Sequence, residues 1–114
     1  MERSLTAWEK AVLRRLCAVD APALDVAREA LDHLVVTGGC DCGCGSFDVR
    51  DVRQPFQPHE LDHVVNGVGA GIGFALYLGR DRRPKTVDIF LPDERTIIEH
   101  GYPEPDQIEA WPGP

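Results

Sequence analysis

Ile72-Gly73-Phe74-Ala75-Leu76-Tyr77-Leu78 and, beyond Gly79-Arg80-Asp81-Arg82-Arg83-Pro84-Lys85, Thr86-Val87-Asp88-Ile89-Phe90-Leu91 decide the fold of this chain. Both runs have strand length, favour extended backbone by composition, and are bounded by turn-forming residues. The basic stretch between them, Arg80 to Lys85, reads as a solvated hairpin loop. Pro92-Asp93-Glu94-Arg95 suits a type I turn leading to a third strand candidate, Thr96 to Glu99, and links this short make an antiparallel meander.

Working toward the N-terminus, Phe47 and Val49 alternate with Asp48 and Arg50, the period of a half-buried strand. Leu34-Val35-Val36-Thr37 is also rich in strand formers and is cut off by Gly38-Gly39. Between Gln54 and Ala70 the pattern weakens, and only a short helix from His59 to Val65 is expected. The glycine run Gly67 to Gly73 lacks the strand-before, helix-after setting of a dinucleotide loop, so it reads as a loop or bulged strand entry.

Before the sheet lie two helices. Thr6-Ala7-Trp8-Glu9 is a capping box, and Trp8, Val12, Leu16 and Val19, joined by Leu13, recur on one face behind it. Asp20-Ala21-Pro22 ends that helix and opens another, expected from about Pro22 to Leu34, because proline is accepted in a first helical turn. Cys17 falls on the apolar face and reads as core; His33, near a helix end, has a structural reading. The ending from Gly101 is too proline-rich for regular structure, although Tyr102, Ile108 and Trp111 can fold back on the sheet.

The expected architecture is therefore a single α+β domain over residues 1–114. A helical hairpin over about 6–34 packs on an antiparallel sheet of about four to five strands, with a cysteine loop at 38–46, the sheet at about 46–100 and a tail at 101–114. With 114 residues and 43% apolar content, the chain can bury a modest core without disulfides. A net charge of −7 opposes nonspecific binding to nucleic acid or an anionic membrane. No leader-like apolar segment follows Met1, and no run approaches the roughly 18 apolar residues of a membrane span, so a cytoplasmic location is expected.

Three of the four cysteines fall within Gly39-Cys40-Asp41-Cys42-Gly43-Cys44-Gly45-Ser46. A disulfide framework would space them to close useful loops, so reduced thiols or a metal site are more natural. In extended backbone, alternate residues place their Cα atoms about 7 Å apart, too far for one ion. Gly39, Gly43 and Gly45 can supply the bend that aims Cys40, Cys42 and Cys44 at a single zinc or other soft metal. A fourth ligand would come from His59, His63, His33 or water. The competing reading is a glycine-rich turn whose cysteines act as small hydrophobes.

His59-Glu60-Leu61-Asp62-His63 has the spacing of a zinc peptidase, in which two histidines one helical turn apart bind zinc and the glutamate polarises water. Pro58 puts His59 in the first turn of whatever follows, and a third ligand would have to come from Glu94, Glu99, His100 or the cysteine loop.

With the helix pair and the cysteine loop in place, residues from about Leu13 to Val49 resemble a group of short bacterial proteins of unassigned function. Their loop reads Val-x-Gly-x-Cys-x-Cys-Gly-Cys-Pro-Ser; here it is Val36 to Ser46, with Gly45 where that pattern has proline. The resemblance implies the helix pair, the loop and a β-hairpin sheet, and no activity.

Three functions are compatible with these residues. The leading one is a non-enzymatic domain whose Cys40/Cys42/Cys44 loop binds zinc or a similar ion and shapes a surface for a protein partner. An acidic immunity-type or inhibitor protein with purely structural cysteines is the second. A zinc-dependent hydrolase with His59 and His63 as ligands and Glu60 as general base is the third.

Overall fold

Thr6 opens the first helix as its spacing predicts. Its hydroxyl accepts from the Glu9 amide at 3.1 Å, and the Glu9 carboxylate accepts from the Thr6 amide at 2.9 Å. Helix α1 (Ala7–Cys17) then buries Val12, Leu13, Leu16 and Cys17. The structure is a computed structural model that describes residues 2–54, 60–93 and 95–113.

The second helix is shorter than the sequence predicts. A 3-10 turn at Pro22–Leu24 leads into α2 (Asp25–Ala30), and another at Leu31–His33 ends it. Leu34 already belongs to a strand. The branched pair Val35-Val36 favours extended backbone, and pairing with a neighbouring strand satisfies amides that a longer helix would have used. Arg28 ties the hairpin together by donating its Nε to the Cys17 carbonyl at 2.7 Å.

Seven antiparallel strands form the sheet: β1 (Arg3–Ser4), β2 (Leu34–Gly39), β3 (Phe47–Asp51), β4 (Asp62–Gly69), β5 (Ile72–Leu78), β6 (Pro84–Phe90) and β7 (Glu109–Pro112). Their order is β1-β2-β3-β6-β5-β4-β7, two or three more strands than the sequence reading expects. Ile72, Phe74, Leu76 and Leu78 of β5 face the helices together with Val65, Phe47, Val49, Val87 and Ile89, and one apolar cluster joins them to α1 and α2.

Three local expectations are corrected. Residues 62–65 form the start of β4 rather than a helix. Its glycines serve packing: a Cβ on Gly67 would meet Leu16 Cδ2 at 3.1 Å and Ile108 Cγ2 at 3.2 Å. Ala70 and Gly71, with φ of 52° and 79°, make the two-residue turn that returns the chain as β5. Thr96 to Glu99 is not a strand, because a second capping box starts α3 (Ile97–His100): Glu99 N donates to the Thr96 hydroxyl at 3.1 Å. Nor is the tail irregular throughout. A 3-10 turn at Pro105–Gln107 buries Ile108 behind it, and β7 follows on the sheet edge, where the missing N–H of Pro112 is tolerated.

The basic turn between β5 and β6 is a loop as expected, but it also reaches a carboxylate that the sequence does not announce. Asp51 is fully buried at the end of β3 and accepts from Arg53 Nη2 at 2.7 Å, Arg53 N at 2.9 Å and Arg83 Nε at 3.1 Å. Hydrogen bonds from the Arg53 side chain, more than its other contacts, hold its carboxyl well below the usual range despite burial. Among the described residues no helix is long and apolar enough to cross a membrane.

Candidate metal centre

Residues 40–46 join β2 to β3 and are folded by their glycines. Gly43 and Gly45 take φ of 84° and 91°, backbone that side chains with a Cβ avoid and that proline, fixed near −65°, cannot enter. Gly45 therefore gives this loop a path that the proline of the resembling pattern would forbid. Cys40 N–H closes the base by donating to the Ser46 carbonyl at 3.4 Å.

Two tertiary bonds fix the loop to the rest of the fold. The first amide of α3, Ile97 N–H, donates to the Gly43 carbonyl at 2.8 Å. The Ser46 hydroxyl accepts from Ile89 N–H of β6 at 2.8 Å and from the Cys44 thiol at 3.1 Å. As a result the sulfurs of Cys40, Cys42 and Cys44 lie within 4.8 Å of one another. Tetrahedral zinc with Zn–S bonds of about 2.3 Å requires sulfurs about 3.8 Å apart, so closure by about 1 Å would seat an ion. Cys42 N–H already donates to the Cys40 sulfur at 3.4 Å, the kind of contact that orients a sulfur ligand.

Cys40 and Cys42 are exposed and Cys44 is half-buried, so the cluster faces outward. Among the described residues, no other Cys, His, Asp or Glu joins it. Cys17 is separate, in the core under α1, where burial pushes its thiol up to about 12 and keeps it protonated.

His63 does not converge with the thiols. It lies on β4, stacked on Tyr77 of β5 with ring centroids 5.0 Å apart. From β4 the sheet order runs through β5 and β6 to β3, three strand spacings or about 14 Å. His63 also lacks the helical frame on which the peptidase spacing depends, and Glu60 sits exposed in irregular backbone before β4. His59 and Glu94 lie outside the described residues. Glu99 and His100 belong to α3, where the Glu99 carboxylate accepts from Thr96 N at 2.9 Å. His33 ends the turn before β2.

Beside the loop opens a groove of about 840 Å³ that the sequence did not reveal, because its walls come from distant segments. Cys40 lines it together with Val36, Phe47, Trp8 and Tyr102. Trp8 and Tyr102 meet edge to face with centroids 4.8 Å apart, and the Trp8 indole N–H donates to the Pro103 carbonyl at 2.8 Å. At one end Arg3 grips Glu9 through two bonds of 2.8 Å. Burial pushes the Glu9 carboxyl upward, but the bonds from Arg3 and Thr6 outweigh it and hold the group below its ordinary value.

No protein-family profile matches the chain, and neither does any solved structure. Aminomethyltransferases of Synechococcus elongatus and of a second Synechococcus strain are each 35% identical to it over 89 residues, covering 62% of this chain and 24% of the relative. The chain thus spans about a quarter of the length of the curated relatives it matches, and the similarity is partial.

Proposed function

We propose that Cys40, Cys42 and Cys44 bind a thiophilic metal ion, with zinc the first candidate, and that the chain is a non-enzymatic domain presenting this loop to a protein partner. The observation that carries the reading is the approach of three sulfurs to within 4.8 Å on a loop held from two sides. Softness selects the ion class, and the outward-facing fourth position leaves room for water or a donor from elsewhere. Four free cysteines suit a reducing compartment, consistent with the cytoplasm.

The test is metal content, measured by mass spectrometry on tag-free protein purified under reducing conditions. Near-stoichiometric metal is expected in wild type and in His63→Ala, and none in Cys40→Ser/Cys42→Ser. Metal retained by the cysteine variant would overturn the assignment, as would a metal-free wild type that takes up no added zinc.

A second reading draws on the partial similarity to aminomethyltransferases. In it the chain takes part in aminomethyl transfer. Transfer of a labelled aminomethyl group that depends on the chain would support it; its absence across donors and acceptors would remove it.

A further inference from the structure

The charged side chains around the groove and most of its neutral polar ones are already engaged with the protein. Arg3 and Glu9 neutralise each other, the Thr6 hydroxyl caps α1, and the Trp8 N–H is held by Pro103. The Ser46 hydroxyl is held by Ile89 N–H and Cys44. A charged ligand would find no free counter-charge among these groups, while Trp8 and Tyr102 offer aromatic surface. Cys40 belongs to both the groove and the sulfur cluster, so the groove adjoins the sulfurs that would hold the ion. The volume suits a small molecule.

We propose that this groove binds an uncharged aromatic small molecule carrying one neutral nitrogen donor, of the azole class, and that the nitrogen completes the coordination of a metal held by Cys40, Cys42 and Cys44. The proposal rests on the metal reading above. Charge selects the donor: a divalent ion with three thiolates already carries one net negative charge, and a fourth anion would add to it on a chain of −7. A neutral ring nitrogen adds none, and borderline ions such as zinc and cobalt accept it. The ring plane then lies against Tyr102 and Trp8.

The experiment uses the full chain loaded with cobalt(II) under reducing, oxygen-free conditions, titrated with imidazole and with 4-phenylimidazole while the visible d–d bands are recorded. Wild type should change its spectrum with both and bind the phenyl compound at least tenfold more tightly. Tyr102→Ala, at a half-exposed position, should keep one cobalt per chain and lose most of that preference, to threefold or less. Cobalt uptake with no azole-induced change, equal affinity for the two azoles, or a preference that survives in Tyr102→Ala would each overturn the proposal and leave the metal reading standing. Failure to take up cobalt at all would overturn both.

Discussion

Three glycines with positive φ make a graded test of the loop. Gly71, at φ 79° in the β4–β5 turn, has nothing within 4 Å of where a Cβ would sit. An alanine there meets backbone strain alone, about 1 kcal/mol. Gly45, at φ 91°, would place its Cβ 3.3 Å from Ile97 Cγ2, which must yield by a few tenths of an ångström, and in contact with Ile89 Cδ1 at 3.4 Å. Strain and crowding together bring Gly45→Ala to about 2 kcal/mol. At Gly43 the Cβ would lie 2.7 Å from Thr96 Cγ2. That methyl cannot swing aside cheaply, because the Thr96 hydroxyl caps α3. Gly43→Ala should therefore cost about 3 to 4 kcal/mol. For a domain of this size about 4 °C of melting temperature accompanies each kcal/mol, giving drops of about 4, 8 and 12 to 16 °C. Urea and thermal unfolding followed by circular dichroism read the series directly. Zinc content should fall in the two loop variants and hold in Gly71→Ala. A flat series, or Gly71→Ala as the most damaging, would refute the reasoning that loop packing sets the cost.

Asp51→Asn should destabilise by about 3 kcal/mol, since it leaves Arg53 and Arg83 beside a buried neutral amide. Because the folded carboxyl lies below its unfolded value, this stabilisation is complete above about pH 5 and fades as pH drops below about 4. A gap between wild type and variant that is the same at pH 3 as at pH 7 contradicts the mechanism. With the Cys17 thiol pushed up to about 12 in the core, a disulfide reagent at pH 8 should modify three thiols rapidly and the fourth only at the unfolding rate; four rapid thiols would show that α1 opens freely. Thr96→Ala should cost about 1 kcal/mol through loss of the cap, and an unchanged melting curve would mean that α3 does not anchor the loop.

Legibility in the sequence followed the range of the interactions. Helix α1, the β5–β6 hairpin and the cysteine loop were readable because a capping box, a run of strand formers and closely spaced thiols are all local signals. Strand β4 was hidden by Gly67 and Gly69, whose reason for being small is the pressure of Leu16 and Ile108 from elsewhere in the chain. Helix α3 was lost to the branched pair Ile97-Ile98, although Thr96-x-x-Glu99 repeats the pattern that marked Thr6-x-x-Glu9 and could have revealed it. Asp51 and the groove had no local signal, because Arg83 stands 32 residues from Asp51 and Pro103 stands 95 from Trp8. At the metal centre the cysteines were legible, but the bonds that gather them, from Ile97 and Ile89, were not.

The same bonds give the loop a mechanical role. Strands β4, β5 and β6 form a meander, β1, β2 and β3 make up the other half of the sheet, and among the described residues β3 and β6 pair at two positions, Phe47↔Val87 and Asp48↔Thr86. The cysteine loop lies at the end of that seam, with Ser46 bonded to Ile89 on the far side and Gly43 bonded to Ile97 beyond it. An ion that drew the three sulfurs together would act as a clasp between the halves. Its arrival should slow amide hydrogen exchange along β3 and β6 more than in the β4–β5 hairpin, so that occupancy at an exposed turn is registered in the middle of the sheet.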